Sequence, residues 1–336
     1  MISFDLEKQL HIIPVGRVAI DFNPTDYNRP LNESQNFNRY LGGSPANIAV
    51  GMARLGNRVG FLARVSDDQF GTFVTDYFVQ EGIDVSHIRR CEHGENLGLT
   101  FTEMLSPTQS SILMYREGVA DLMLSPDDVD EAYIASSACL LISGTALCIS
   151  PTREASLKAL TFALRNHVPV VFDADYRAYT WKSQDEISIY TSLVAEKADI
   201  IMGSREEFDL MERLLGLDGT DECSATYWLK KQSQVCVIKH GKEGSRAYSR
   251  EDGNWLVKPF PVTALKGFGG GDGYASSFLH ALMAGRALPD ALERGSASAA
   301  MLVASHACSR DMPTEDALEA FIQEKKAACG TVVSQL

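Results

Sequence analysis

Several things are scarce in this sequence, and each scarcity excludes a class. The seven cysteines, at 91, 139, 148, 223, 236, 308 and 329, are scattered, odd in number and without Cys-x-x-Cys or Cys/His spacing. Neither a disulfide framework nor a zinc site is expected, and free thiols in a reducing cytoplasm fit this usage. Basic residues are in deficit, 31 Lys and Arg against 44 Asp and Glu, for a formal net charge of −13. That balance argues against nucleic acid or an anionic membrane as a general partner. An anionic substrate would therefore need a local positive site. No apolar run is long enough to span a membrane. The opening Met-Ile-Ser-Phe-Asp-Leu-Glu-Lys lacks a basic region followed by an apolar one, so no signal peptide is expected.

Three site motifs are also missing. There is no Gly-x-x-x-x-Gly-Lys-Ser/Thr, no Gly-x-Gly-x-x-Gly after the first strand and no Gly-x-Ser-x-Gly. A P-loop, a dinucleotide-binding Rossmann site and a hydrolase elbow are thereby disfavoured. The seven histidines lie apart, without ligand spacing.

What is present is a chain of 336 residues, 45% hydrophobic and 22% charged. It is long enough to bury a large core. The first apolar run, Ile12 to Ile20, ends at Asp21 and is expected to be one buried strand with Asp21 at its carboxyl edge. Asp21 is then either a hydroxyl-binding carboxylate or a turn former. Gly42-Gly43-Ser44-Pro45-Ala46-Asn47 precedes a small-residue helix, with Ser44 the expected N-cap, Pro45 at N1 and Gly56 just past the end. Asn47 is either exposed or a ligand-binding amide. Ser66 to Gln69 has capping-box spacing before a helix reaching Gly82.

Residues 97–104 and 111–116 alternate with period 2 and suggest an antiparallel hairpin across Pro107. They read as a small separate sheet, a lid shared with residues 36–41. Arg116 at its end could bind a carboxylate or phosphate, or equally pair with a local acid. From residue 138 strands and helices alternate, with strands ending near Ser143, Asp173, Met202 and Lys239, then a small-residue helix over 296–307 and a charged one from about Thr314. That rhythm predicts an α/β fold, a doubly wound, mostly parallel sheet flanked by helices. No repeat or linker interrupts it, so one domain over 1–336 is expected, with lid segments at about 25–42 and 95–118.

The densest signal is Lys266-Gly-Phe-Gly-Gly-Gly-Asp272, running into an apolar-periodic segment. A glycine loop opening a helix presents free N–H groups and a partial positive charge to an anion, and Asp272 beside it could accept a proton. A turn whose Asp caps the helix is the other reading of these residues alone.

Taken in order, these stretches resemble the ribokinase-type (PfkB) carbohydrate kinases. Gly42-Gly43 with Asn47 is similar to that family's N-terminal signature and Gly269-Gly270-Gly271-Asp272 to its C-terminal one. Glu206 falls at its Asn-x-x-Glu, and Gly241 and Gly244 at its nucleotide-side Gly-x-x-Gly. Gly16 to Phe22, Val65 to Gly71, Asp173 to Arg177 and Ser204 to Asp209 narrow the resemblance to members that phosphorylate a keto-deoxy sugar acid of myo-inositol breakdown at its terminal hydroxyl. Kinases of 2-keto-3-deoxygluconate or fructose are the alternatives within the family. A non-catalytic sugar or nucleotide sensor, and more weakly a glycosidic-bond hydrolase, are alternatives on the same fold.

The resemblance implies a ribokinase-like fold and site roles by position. Asp272 is the base, and the amides of Gly269, Gly270 and Gly271 are the anion hole. Asp21, Gly42, Gly43 and Asn47 bind the sugar, with Arg116 and Arg177 for its carboxylate. Lys239, Gly241 and Gly244 line the nucleotide pocket, and Glu206 orients Mg2+ through water. ATP and Mg2+ are the implied cofactors, with a monovalent cation as a further candidate, and a homodimer through the lid is implied. The sequence departs from the family where Lys266 and Gly267 replace Asp-Thr, Gly270 replaces Ala, and Gly203 stands at the Asn of Asn-x-x-Glu. The extra glycine and lost hydroxyl are expected to loosen the loop by up to ~1 kcal/mol per glycine.

Overall fold

A computed structural model describes residues 2–106 and 109–336. The central sheet has eight strands, in spatial order Ile13–Val15, Leu140–Ser143, Val170–Asp173, Ile200–Ser204, Val235–Lys239, Ser245–Ser249, Asn254–Val257 and Val333–Gln335. The first five run parallel and the last three antiparallel. The parallel strands are short apolar runs that are buried at nearly every position, as strands covered on both faces must be. Their alternation divides the core in two. Leu141, Val171, Ile200, Met202 and Val237 pack with helices Ser44–Arg54, Gly270–Met283 and Leu288–Val303. Leu140, Ile142, Val170, Phe172, Ile201 and Ile238 pack with helices Thr152–Arg165, Gln184–Ala195, Arg205–Glu212 and Asp221–Leu229 on the other face. Among the described residues no helix is long and apolar enough to cross a membrane.

A second sheet has four strands, in order Phe37–Gly42, Ala19–Pro24, Gly98–Ser106 and Gln109–Tyr115. The expected hairpin pairing is present; Pro107 lies outside the described residues. The first apolar run, however, is not one strand. Gly16, at φ 145° and with room for a Cβ only 2.9 Å from the Pro45 ring, breaks it. Ile13–Val15 joins the central sheet, and Ala19–Pro24 joins the small one. Asp21 is therefore not at a carboxyl edge but mid-strand in the small sheet, opposite Tyr40 and Thr100.

Helix starts also differ in detail. Gly43, not Ser44, is the N-cap of Ser44–Arg54. Asp68, not Ser66, caps Gln69–Gln80, accepting from the Phe70 and Gly71 amides, because Ser66 donates its hydroxyl to Asp68. The small-residue helix begins earlier than its composition suggested, at Leu288, and ends at Val303.

Candidate active site

Gly269 is the N-cap of helix Gly270–Met283 at φ 84°, a left-handed conformation that favours glycine, and a Cβ there would lie 2.5 Å from Cys308 Sγ. At Gly270 an added Cβ would meet Val303 Cγ1 at 3.0 Å, so the side chain of Val303 fills the space that a family alanine would use. At Gly271 only Lys239 Nζ comes near, at 3.6 Å. The loop thus keeps its N–H groups approachable and has a cation above them. Asp272 sits in the first turn of this helix, partly buried, and its Oδ2 accepts from Asn47 Nδ2 at 2.7 Å. Burial raises its carboxyl above the ordinary range and Asp175 adds to this, while the Asn47 bond and Arg177 oppose. Asn47 is buried on helix Ser44–Arg54, so its exposed reading is excluded.

Asp21 lies across from this turn. Its carboxylate occupies the space a Cβ on Gly42 would take, 2.1 to 2.4 Å away. Gly43, at φ 97°, likewise presses on the Arg17 carbonyl. These two glycines serve to bring Asp21 and the Arg17 backbone against the helix start. Asp21 is raised by burial, with Arg17 opposing. Arg17 received no role from its sequence context, yet its buried guanidinium donates from Nη2 to Thr100 Oγ1 at 2.6 Å. Arg17 Nε, Asp21 Oδ1 and Asn47 Oδ1 are all buried without a partner. Asn47 bonds Asp272, Asp21 lies in the field of Asp272, and Arg17 lies beside Asp21, so these three orphaned polar atoms mark a place where a polar ligand belongs.

The strand ends close the site from below. Asp175 holds φ 32°, a strained value for a non-glycine residue. Its Oδ2 accepts from Ser143 Oγ at 3.1 Å and its Oδ1 pairs with Arg177 Nη2 at 2.7 Å. Arg177 is raised chiefly by Asp175 and remains about a third exposed, at 31%. Asp173 is pushed up to about 7 by burial, with Lys239 opposing and Asp175 adding. It accepts from Ser44 Oγ at 3.4 Å and faces Lys239 Nζ at 3.5 Å.

Arg116 follows its alternative reading. Its fork is committed to Asp121 Oδ2, at 2.6 and 3.1 Å, and to the Thr145 carbonyl at 3.0 Å, all buried. It supports the floor of the site and has no free fork for a substrate carboxylate.

On the other side of the loop, Lys239 ends strand Val235–Lys239, and Gly241 and Gly244 follow in a tight turn. Gly244, at φ 93°, packs under the Val257 carbonyl; Gly241, at φ 56°, has open space. Glu206 is exposed, whereas Glu207 takes the inward position. A Cβ at Gly203 would meet Ala174 and Phe208 at 3.1 and 3.2 Å, so an Asn there has no room. The same spacing counted from Ser204 reaches Glu207. Ser204 caps helix Arg205–Glu212 in a capping box with Glu207. Glu207 also accepts from Tyr176 N at 2.8 Å, and its charge is felt by Lys239, Asp173 and Arg177.

The flank expected to be loose is tied down. Lys266 is buried, its amide and that of Leu265 donate to the Val303 carbonyl at 3.2 and 2.7 Å, and its ammonium donates to the Ala307 carbonyl.

A proton-accepting carboxylate held at the mouth of an anion-binding helix, on a doubly wound sheet with a small sheet above, is the architecture of a phosphoryl-transfer enzyme. Residues 9–315 match the pfkB carbohydrate kinase family, and the chain belongs to it. It is 60% identical over 334 residues to the 5-dehydro-2-deoxygluconokinase of Clostridium perfringens, covering 99% of each chain. Its fold matches a putative ribokinase II from E. coli solved with ATP and Mg2+, TM-score 0.85 at 22% identity over 94% of this chain and 99% of that one. It also matches a Vibrio cholerae fructokinase double mutant solved with fructose, ADP and potassium, TM-score 0.79 at 21% identity over 94% and 99%.

Proposed function

We propose that this carbohydrate kinase transfers the γ-phosphoryl group of ATP to the terminal hydroxyl of 5-dehydro-2-deoxy-D-gluconate, a step of myo-inositol breakdown. The observation that carries the proposal is Asp272, fixed by Asn47 at the first turn of the glycine-loop helix, with Asp21 in its field, Arg17 beside Asp21, and an orphaned polar atom on each of Arg17, Asp21 and Asn47. The substrate hydroxyl gives its proton to Asp272 as its oxygen bonds the γ-phosphorus, and the bond from that phosphorus to the ADP oxygen breaks. The amides of Gly269 to Gly271 and the helix N-terminus take up charge on the transferred group. Arg17 and Arg177 hold the sugar carboxylate, the local positive site that a chain of net charge −13 requires. Asp21 orders the sugar hydroxyls.

Lys239, Gly241 and Gly244 face the nucleotide. Among the described residues no three His, Cys, Asp or Glu side chains converge as a metal cage. Glu207 would hold Mg2+ through water, and the ion would neutralise charge on the phosphates. The small sheet closes over the sugar, and the exposed Leu113 and Tyr115 on its outer strand form a self-association face. The protein works in the cytoplasm, as its seven unpaired thiols suit.

A panel of sugar acids and neutral sugars with ATP, followed by ADP release, tests the assignment. The highest kcat/KM is expected for 5-dehydro-2-deoxy-D-gluconate; a higher value for fructose or 2-keto-3-deoxygluconate would replace it. The non-catalytic sensor would be favoured by a loosened loop at Lys266-Gly267, but Lys266 is buried and tied to Val303 and Ala307.

A further inference from the structure

Lys266 is only 1% exposed. Its ammonium donates to the Ala307 carbonyl and lies 3.6 Å from Cys308 Sγ and 5.3 Å from the centre of the Phe268 ring. Among the described residues no carboxylate forms an ion pair with it; Asp21 acts on it only at longer range. Burying an ammonium without a counter-ion costs several kcal/mol. Such a charge persists where its field has a use.

Its position supplies that use. A Cβ on Gly269, the N-cap of the glycine-loop helix, would lie 3.8 Å from Lys266 Cε. The charge therefore sits beneath the anion-binding end of the helix and adds to the positive potential of its free amides. The ammonium also takes a main-chain carbonyl of the turn after helix Leu288–Val303, a hard oxygen of the type that holds an alkali cation. The residues here do not fit a loosely held monovalent ion, because a tethered cation already has the carbonyl.

We propose that Lys266 is a built-in counter-charge of the glycine loop that stands in for a monovalent cation, so that nucleotide binding and phosphoryl transfer by this protein do not respond to potassium. The proposal rests on reading Gly269 to Gly271 as the phosphate site. The test compares tetramethylammonium with potassium salts at matched ionic strength, following turnover and, separately, ADP binding by calorimetry. For the native protein both are expected to agree within about twofold, a difference of under ~0.5 kcal/mol. Lys266→Met, which keeps the stem but removes the charge, should lower kcat and ADP affinity by about 10- to 100-fold, the range seen when one charge-stabilising donor is lost.

Lys266→Ala opens space at the carbonyl, and potassium or ammonium should restore part of its lost kcat while leaving the native protein unmoved. A purely structural lysine would lower the melting temperature and leave kcat and the salt response untouched. Activation of the native protein several-fold by potassium, or full kcat in Lys266→Met, overturns the proposal. Should that variant not fold, the native salt response decides by itself. Absence of turnover with every sugar acid would count against the substrate assignment, and the salt response of ADP binding would still decide this one.

Discussion

The two halves of the site that meet at Asp272 are built from different materials. On the sugar side, Arg17 and Asn47 are buried and Asp21 is half-buried, and one polar atom of each waits for a partner. On the nucleotide side, the Gly241–Glu243 turn and the glycine loop present main chain, with Lys239 near Gly271 and Lys266 beneath Gly269. A side-chain pocket of fixed charges rejects a substrate that leaves them unpaired, because an orphaned buried group costs about 1–3 kcal/mol. A main-chain cradle recognises phosphate, which every nucleotide carries. Selectivity for the acceptor and tolerance for the donor are what this division predicts.

The largest expected effect falls where the halves join. Asp272→Asn should lower kcat by about 10²- to 10⁴-fold, the range for loss of a general base, with little change in melting temperature. ADP release under saturating substrates measures it. Retention of more than about a tenth of kcat would move the base elsewhere.

Next comes Arg17→Gln. If the sugar half reads the carboxylate through its guanidinium, kcat/KM for the sugar acid should fall by about 100-fold, equivalent to losing charge-assisted hydrogen bonds of about 2–3 kcal/mol. A neutral sugar should be affected far less, and the ratio of the two is the informative quantity. An equal fall for both would make Arg17 a support for Thr100 and the small sheet, not a reader of charge. The matching experiment on the other half is Lys239→Met. It should raise KM for ATP by about tenfold and leave KM for the sugar acid nearly unchanged. A larger effect on the sugar would show that the halves are not separable.

The sequence reading and the structure agree most where function is carried by glycine. Gly43 to Asn47 and Gly269 to Asp272 are legible because φ values of 97° and 84° demand glycine, and the polar residue follows at fixed helical spacing. The five parallel strands are legible because burial on both faces leaves uninterrupted apolar runs. Arg17 is not legible because it lies inside an apolar run and its placement depends on Gly16 redirecting the chain into a second sheet. Glu207, not Glu206, turns inward, which counting from Gly203 cannot show because the helix is capped at Ser204. Arg116 carried the right charge at a strand end, yet its acid, Asp121, lies only five residues away and claims it first. Lys266 read as a defect in a motif because nothing in the local sequence shows the Ala307 carbonyl waiting for it.

The smallest predicted effect concerns an ion pair that spans the two halves. Asp173 accepts from Ser44 on the sugar side and faces Lys239 on the nucleotide side. Burial holds its carboxyl at about 7, well above the ordinary carboxylate value. The folded chain therefore keeps a proton that the unfolded chain has released above about pH 4, and the protein binds more protons folded than unfolded across that interval. The stabilising contribution of the protonated form is complete below the unfolded value and is lost as pH rises through about 7. Asp173→Asn keeps a polar partner for Ser44 but does not titrate. The melting temperature of Asp173→Asn minus that of the native protein should accordingly rise by a few degrees between about pH 5 and pH 8. In the Lys239→Met background the native Asp173 loses the cation that opposes its burial, so its carboxyl moves further up and the same rise shifts to higher pH. If the pH at which the difference appears is the same in both backgrounds, Asp173 and Lys239 do not share a field, and the two halves of the site are electrostatically independent.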